Sequence, residues 1–101
     1  MYRQGDILLV PIEDVPQGVK PIEREGGRIV LAKGESTGHA HVVVEKAVKF
    51  VLSPTGKRIL ISRVPFTLRH EEHSTLRIPA GAFEVVRQRE YTLRTIRLIA
   101  D

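Results

Sequence analysis

The sequence predicts one small all-β domain spanning residues 1–101, a β-barrel or a two-sheet sandwich of cupin-like or SH3-like size with little helix. Three observations carry that expectation. Short β-branched, apolar runs recur at close spacing; turn segments rich in Gly and Pro separate them; and almost none of the chain has helical periodicity. A chain of 101 residues buries roughly 60–70% of its unfolded surface, enough for a core without covalent staples.

The elements follow in order. Residues 6–12 (Asp-Ile-Leu-Leu-Val-Pro-Ile) form a first strand, introduced by Gly5 and ending near Pro11. Residues 13–27 hold Pro16, Gly18, Pro21, Gly26 and Gly27, a loop of the length usually kept for function or for wrapping an edge. Residues 28–32 form a second strand closed by Gly34, and residues 34–38 are a turn leading into His39. A third strand covers residues 41–45. Residues 48–52 and 57–63 flank Ser53-Pro54-Thr55-Gly56, where Pro presets a turn φ and Gly accepts the positive φ that follows. Residues 66–68 and 75–78 are short strands, Pro79-Ala80-Gly81 is a turn, and residues 82–89 form a strand with Phe83 and Val85 on one face. The tail, residues 91–101, suits a strand or a short helix equally.

Composition excludes several chemistries. There is no cysteine, hence no disulfide, thiolate ligand, iron–sulfur cluster or cysteine nucleophile. No apolar run reaches the ~18–20 residues that span a bilayer, and no signal-peptide pattern opens the chain, so a cytoplasmic protein without membrane contact is expected. Residues 51–101 carry nine basic and five acidic side chains, so the whole net charge of +4 lies in the second half. Eight of those nine are arginine, which suits planar contact with phosphate or carboxylate and leaves an RNA- or DNA-binding module as one alternative.

All four histidines fall into two tight pairs, His39-Ala40-His41 and His70-Glu71-Glu72-His73. On a strand, residues two apart share a face, so His39 and His41 aim together if the strand already begins at His39. His70 and His73, three apart between two strands, suit a turn that brings both rings to one point. If the pairs meet, their imidazoles suit Zn, Ni, Fe or Cu, either structurally or with an open position for a small ligand. The candidate ligands are His39, His41, His70 and His73, with Glu45 or Glu72 as supporting carboxylate. Without a metal, one histidine as base, one as acid and an arginine on phosphate (Arg63, Arg69, Arg77, Arg87 or Arg89) would suffice for phosphodiester cleavage. Arg87 and Arg89 share one strand face and form a candidate anion-binding stripe. Val42-Val43-Val44 and Ile59-Leu60-Ile61 are apolar on both faces, which fits doubly buried strands or a homodimer contact.

Gly34-x4-His39-x-His41-x3-Glu45 resembles the first cupin motif, with a first spacer one residue shorter. That resemblance implies a metal held in a β-barrel by His39, His41 and Glu45, with His70 or His73 as the fourth ligand. The usual second motif has no counterpart, since Pro79-Ala80-Gly81 is followed by no histidine. The segments Gly38-His39-Ala40-His41 and His70-Glu71-Glu72-His73, with Pro79-Ala80-Gly81 running on to Arg87-Gln88-Arg89-Glu90-Tyr91, also resemble a group of small bacterial proteins of unassigned activity.

Overall fold

The computed structural model describes residues 1–34 and 38–88. Ten strands are described: β1 (Tyr2–Gln4), β2 (Ile7–Ile12), β3 (Lys20–Pro21), β4 (Ile29–Lys33), β5 (Ala40–Val43), β6 (Lys49–Leu52), β7 (Arg58–Ser62), β8 (Phe66–Leu68), β9 (Leu76–Ile78) and β10 (Gly81–Arg87). Six of them form one sheet in the order β1-β2-β10-β7-β6-β3, and β4-β5 and β8-β9 are antiparallel pairs. The two pairs are stitched by a lone bridge in which Val42 and Arg69 exchange both backbone hydrogen bonds at 2.9 Å. The architecture is therefore the all-β, two-sheet alternative; among the described residues no sheet closes into a barrel.

Strand alternation explains the core. On the large sheet Tyr2, Leu9 and Val85 lie in one cross-strand row and Phe83, Leu60 and Phe50 in the next. The second layer contributes Ile29 and Leu31 from β4, Val43 from β5, Phe66 and Leu68 from β8, and Ile78 from β9. Phe66, Ile7, Leu9, Leu60, Leu68 and Ile78 are essentially fully enclosed, each contributing about 1.5–3 kcal/mol through removal from water. Arg58 crosses the gap, its Nη1 donating to the Leu31 carbonyl at 2.6 Å.

One local feature departs from the expectation and two refine it. Tyr2–Gln4 is a strand of its own, joined to β2 by the two-residue turn Gly5-Asp6. With φ of +58° at Gly5 and no positive φ at Asp6, this turn matches the type that puts Gly first in a two-residue hairpin. β2 continues through Pro11 to Ile12, because β1 pairs no farther than Leu9 and Pro11 is paired on one side only. The loop of residues 13–27 contains the short edge strand β3, which pairs with β6, and its Asp14 and Pro16 line a small cavity with Ile12 and Ile59. It wraps the edge of the large sheet.

The doubly apolar runs are buried within the chain: Val42, Val43, Ile59 and Leu60 are all covered, and Val44 is exposed. The tail, residues 91–101, and Arg89 lie outside the described residues. Among the described residues no helix is long and apolar enough to cross a membrane.

Candidate functional site

The strands place the histidines through ordinary register. His41 and Val43 share a face of β5, so the face that buries Val43 in the core carries His41 to the end of the interlayer space. A bulge in β4 between Val30 and Ala32 sets Ala32 opposite His41, and β4–β5 pairing continues to Gly34, whose amide donates to the His39 carbonyl at 2.7 Å. Across the Val42–Arg69 bridge, His41 and His70 are the adjacent residues of an antiparallel pairing. The loop of residues 70–73 is tied down again where Glu71 Oε2 accepts the Ala40 amide hydrogen bond at 3.0 Å. The backbone amide of Glu71 itself, and then that of Ala40, hold the Glu71 carboxyl below its ordinary value.

The four imidazoles converge. Ring centres lie 4.4 Å apart for His41–His70, 4.6 Å for His70–His73, 5.8 Å for His39–His70 and 5.9 Å for His41–His73. They line an open, polar pocket of about 300 Å3 together with Asp6, Glu72, Arg87, Lys33, Gly34 and Ala32. The large sheet supplies Asp6 from the β1–β2 turn and Arg87 from the end of β10.

Gln4 and Gly5, which support the pocket from behind, and Asp6, which lines it, were not legible as site residues. Gln4 is buried at the end of β1, with both amide hydrogens committed: Nε2 donates to the Leu68 and Ser74 carbonyls, each at 2.9 Å. Its Oε1 is therefore the acceptor facing His41 Nδ1 at 2.9 Å, so His41 carries a proton on Nδ1. His41 Nε2 then faces Asp6 Oδ1 at 3.2 Å, and the other oxygen of Asp6 lies 3.6 Å from Arg87 Nη2. Gly5 forms the floor: a Cβ there would come within 2.6 Å of His73 Nε2 and 3.2 Å of His41 Cε1. Burial, then the neighbouring His70, push the His41 imidazole below its ordinary value; Asp6 pulls it back up in part, and His73 adds to the downward push.

The remaining candidates divide. Glu72 sits at the pocket rim with Oε1 3.1 Å from His39 Nδ1. Glu45 is elsewhere: its Oε2 accepts from both the amide and the hydroxyl of Thr67 at 2.8 Å, locking the end of β5 to β8. Burial raises the Glu45 carboxyl, but the Thr67 hydrogen bonds, with its own backbone amide and Arg69, outweigh it and the net shift is downward. The cupin-type ligand set of His39, His41 and Glu45 is thus not assembled. Arg63, Arg69 and Arg77 are exposed, and Arg87 is the one arginine among the described residues that lines the pocket. Among the described residues, no three His, Asp or Glu side chains enclose a metal position as they stand. The nitrogens are engaged with neighbours: His70 Nδ1 accepts the amides of Glu72 at 3.0 Å and His73 at 3.4 Å.

The chain belongs to a family described as a domain of unknown function (DUF8820), whose model matches residues 3–88, a span that contains every pocket residue. No curated protein and no solved structure matches it.

Proposed function

We propose that this DUF8820 domain binds a first-row transition metal (Zn, Ni, Fe or Cu) in the histidine pocket. The ion is held by His41 Nε2, Asp6 and His73, with His39 and Glu72 at the rim. One observation carries the proposal. With its Nδ1 proton given to Gln4, neutral His41 sets the Nε2 lone pair against the Asp6 carboxylate at 3.2 Å. That contact is favourable with a proton on Nε2, which makes His41 an imidazolium, or with a metal ion in the proton's place, since Arg87 meets only the other oxygen of Asp6. The metal reading takes the second case, in which a His ligand whose other nitrogen donates to a fixed acceptor is the usual supporting arrangement.

Metal–nitrogen bonds of ~2.0–2.1 Å and tetrahedral angles place ligand ring centres about 5 Å apart, so His41 and His73, whose ring centres lie 5.9 Å apart, must approach by about 1 Å to share an ion. His73 is exposed, so a turn of its ring against Gly5 completes the set at little packing cost.

The test is metal analysis of protein purified without a histidine tag, since a nickel column would contaminate the answer. About one equivalent of metal, lost in His41→Ala, is the expected result; absence of metal together with failure to take up Zn(II) or Co(II) in dialysis overturns the proposal.

A metal-free second use of the same pocket is favoured by the opposite hydrogen-bonding of His41 and His70. His41 Nε2 would act as base and the imidazolium form of His73 as acid, with His70 Nε2–H and Arg87 holding the phosphodiester. Turnover of a 2′-hydroxyl-bearing dinucleotide that persists in chelator is the observation that would select it.

A further inference from the structure

We propose that the pocket takes a small oxyanion of the carboxylate or phosphate class, gripped between the metal-bearing side at His41 and a donor side formed by His70 Nε2 and Arg87. The proposal rests on the metal reading above and assigns what the ion would present to a ligand.

The two central rings are not equivalent. His70 Nδ1 accepts two backbone amides, so its neutral form carries the proton on Nε2. His41 is the reverse, with the proton on Nδ1 and the lone pair on Nε2. Rings only 4.4 Å apart therefore contribute opposite polarity, one an electron-pair donor suited to a cation and the other an N–H donor suited to an anion. Four converging histidines thus do not make a four-nitrogen cage.

Arg87 extends the donor side. Its guanidinium has five N–H donors, and its contact to Asp6 is a long 3.6 Å. Asp6 itself shows the spacing such a ligand needs: one oxygen faces His41 Nε2 and the other faces Arg87. A second oxyanion approaching from the open side, with the same oxygen–oxygen separation, meets the ion with one oxygen and Arg87 with the other. The charged side chains lining the pocket, Asp6 and Glu72 against Lys33 and Arg87, balance before the ion arrives, so the ion leaves positive charge for an anion to meet. Space is sufficient as well: about 300 Å3 compares with ~30 Å3 for one water.

The experiment has a metal-free and a metal-loaded arm. In long-range proton–nitrogen correlation spectra of the metal-free protein above neutral pH, His41 is expected to carry its proton on Nδ1 and His70 on Nε2. A His70 proton found on Nδ1, or averaged over both nitrogens, overturns the proposal. In the loaded arm, Co(II)-substituted protein is titrated with methylphosphonate and, separately, with acetate, against chloride at equal ionic strength. A saturable change in the Co(II) absorption with either anion is expected, and the stronger of the two identifies the class. Arg87→Met and His70→Phe are each expected to weaken the anion at least about tenfold, with Arg87→Lys recovering part of the loss; thermal melts check that each variant folds. Co(II) uptake with a spectrum indifferent to both anions overturns the oxyanion proposal alone. No Co(II) uptake overturns the metal reading and this proposal with it.

Discussion

Val42 and Arg69 exchange two backbone hydrogen bonds of 2.9 Å, and this one bridge sets His41 across from His70, 29 positions later in the chain. Each histidine is the immediate neighbour of a bridge residue. The convergence of the two pairs is thus fixed by backbone pairing, and the pocket chemistry is built on it.

Gln4 is the first place to test that construction. Gln4→Leu removes the acceptor for His41 Nδ1–H and strands the Leu68 and Ser74 carbonyls, so a loss of about 2–4 kcal/mol is expected in urea unfolding. Metal affinity is expected to fall about 10–100-fold, the usual result of removing a group that orients a ligand. Unchanged Zn(II) affinity in a folded Gln4→Leu would refute the role assigned to His41 Nε2.

At Gly5 a side chain is opposed twice, by the positive φ and by the His73 ring. Gly5→Ala is expected to cost about 1–2 kcal/mol through its backbone alone. Because His73 is exposed and can move away, the fold survives while metal binding weakens. Paired denaturation and dialysis measurements separate the two effects.

Glu45→Gln discriminates between the observed site and the one the cupin motif implies. The variant removes a charged acceptor from Thr67 and is expected to lower stability by about 1.5–3 kcal/mol. It leaves metal stoichiometry and affinity within about twofold of wild type, because the carboxylate is not in the pocket. A tenfold loss of metal affinity would place Glu45 at the site after all.

Falling pH is expected to act through His41 before it acts through Glu45. Its folded-state pKa lies below the unfolded value near 6.5, so the unfolded chain binds more protons between the two. The stabilisation is complete above 6.5 and is lost as pH falls through the folded value. Glu45, also depressed, contributes stability that is lost later, as pH falls from 4.5 through its own folded value. Urea midpoints measured across pH should therefore decline in two stages, the upper one flattened in His41→Phe.

The fold class was legible because strand periodicity and Gly/Pro punctuation are local signals; the strand at Ile7, the hairpin around Pro54-Thr55-Gly56 and the Phe83/Val85 face all follow from them. The first hairpin had a signal too, since Gly5-Asp6 between short runs is a recognised two-residue turn, but three residues before it are too few to show alternation. Gln4 could not be picked out, because its importance comes from two carbonyls 64 and 70 residues away. The pairing of His segments was legible as coincidence in composition, whereas the different partners of His41 and His70 depend on which backbone amides the loop turns inward. Glu45 looked like a ligand from spacing alone, and the approach of Thr67 claimed it.

The pocket draws on positions 4 to 6, 32 to 34, 39 to 41, 70 to 73 and 87, so no excised peptide can reproduce it, including one bearing both histidine segments. Any occupant must recognise the finished tertiary arrangement and will tilt the folding equilibrium toward it by mass action, about 2.7 kcal/mol at a hundredfold excess over the dissociation constant. A rise in melting temperature across a panel of ions and small acids is consequently a direct screen for what this domain binds.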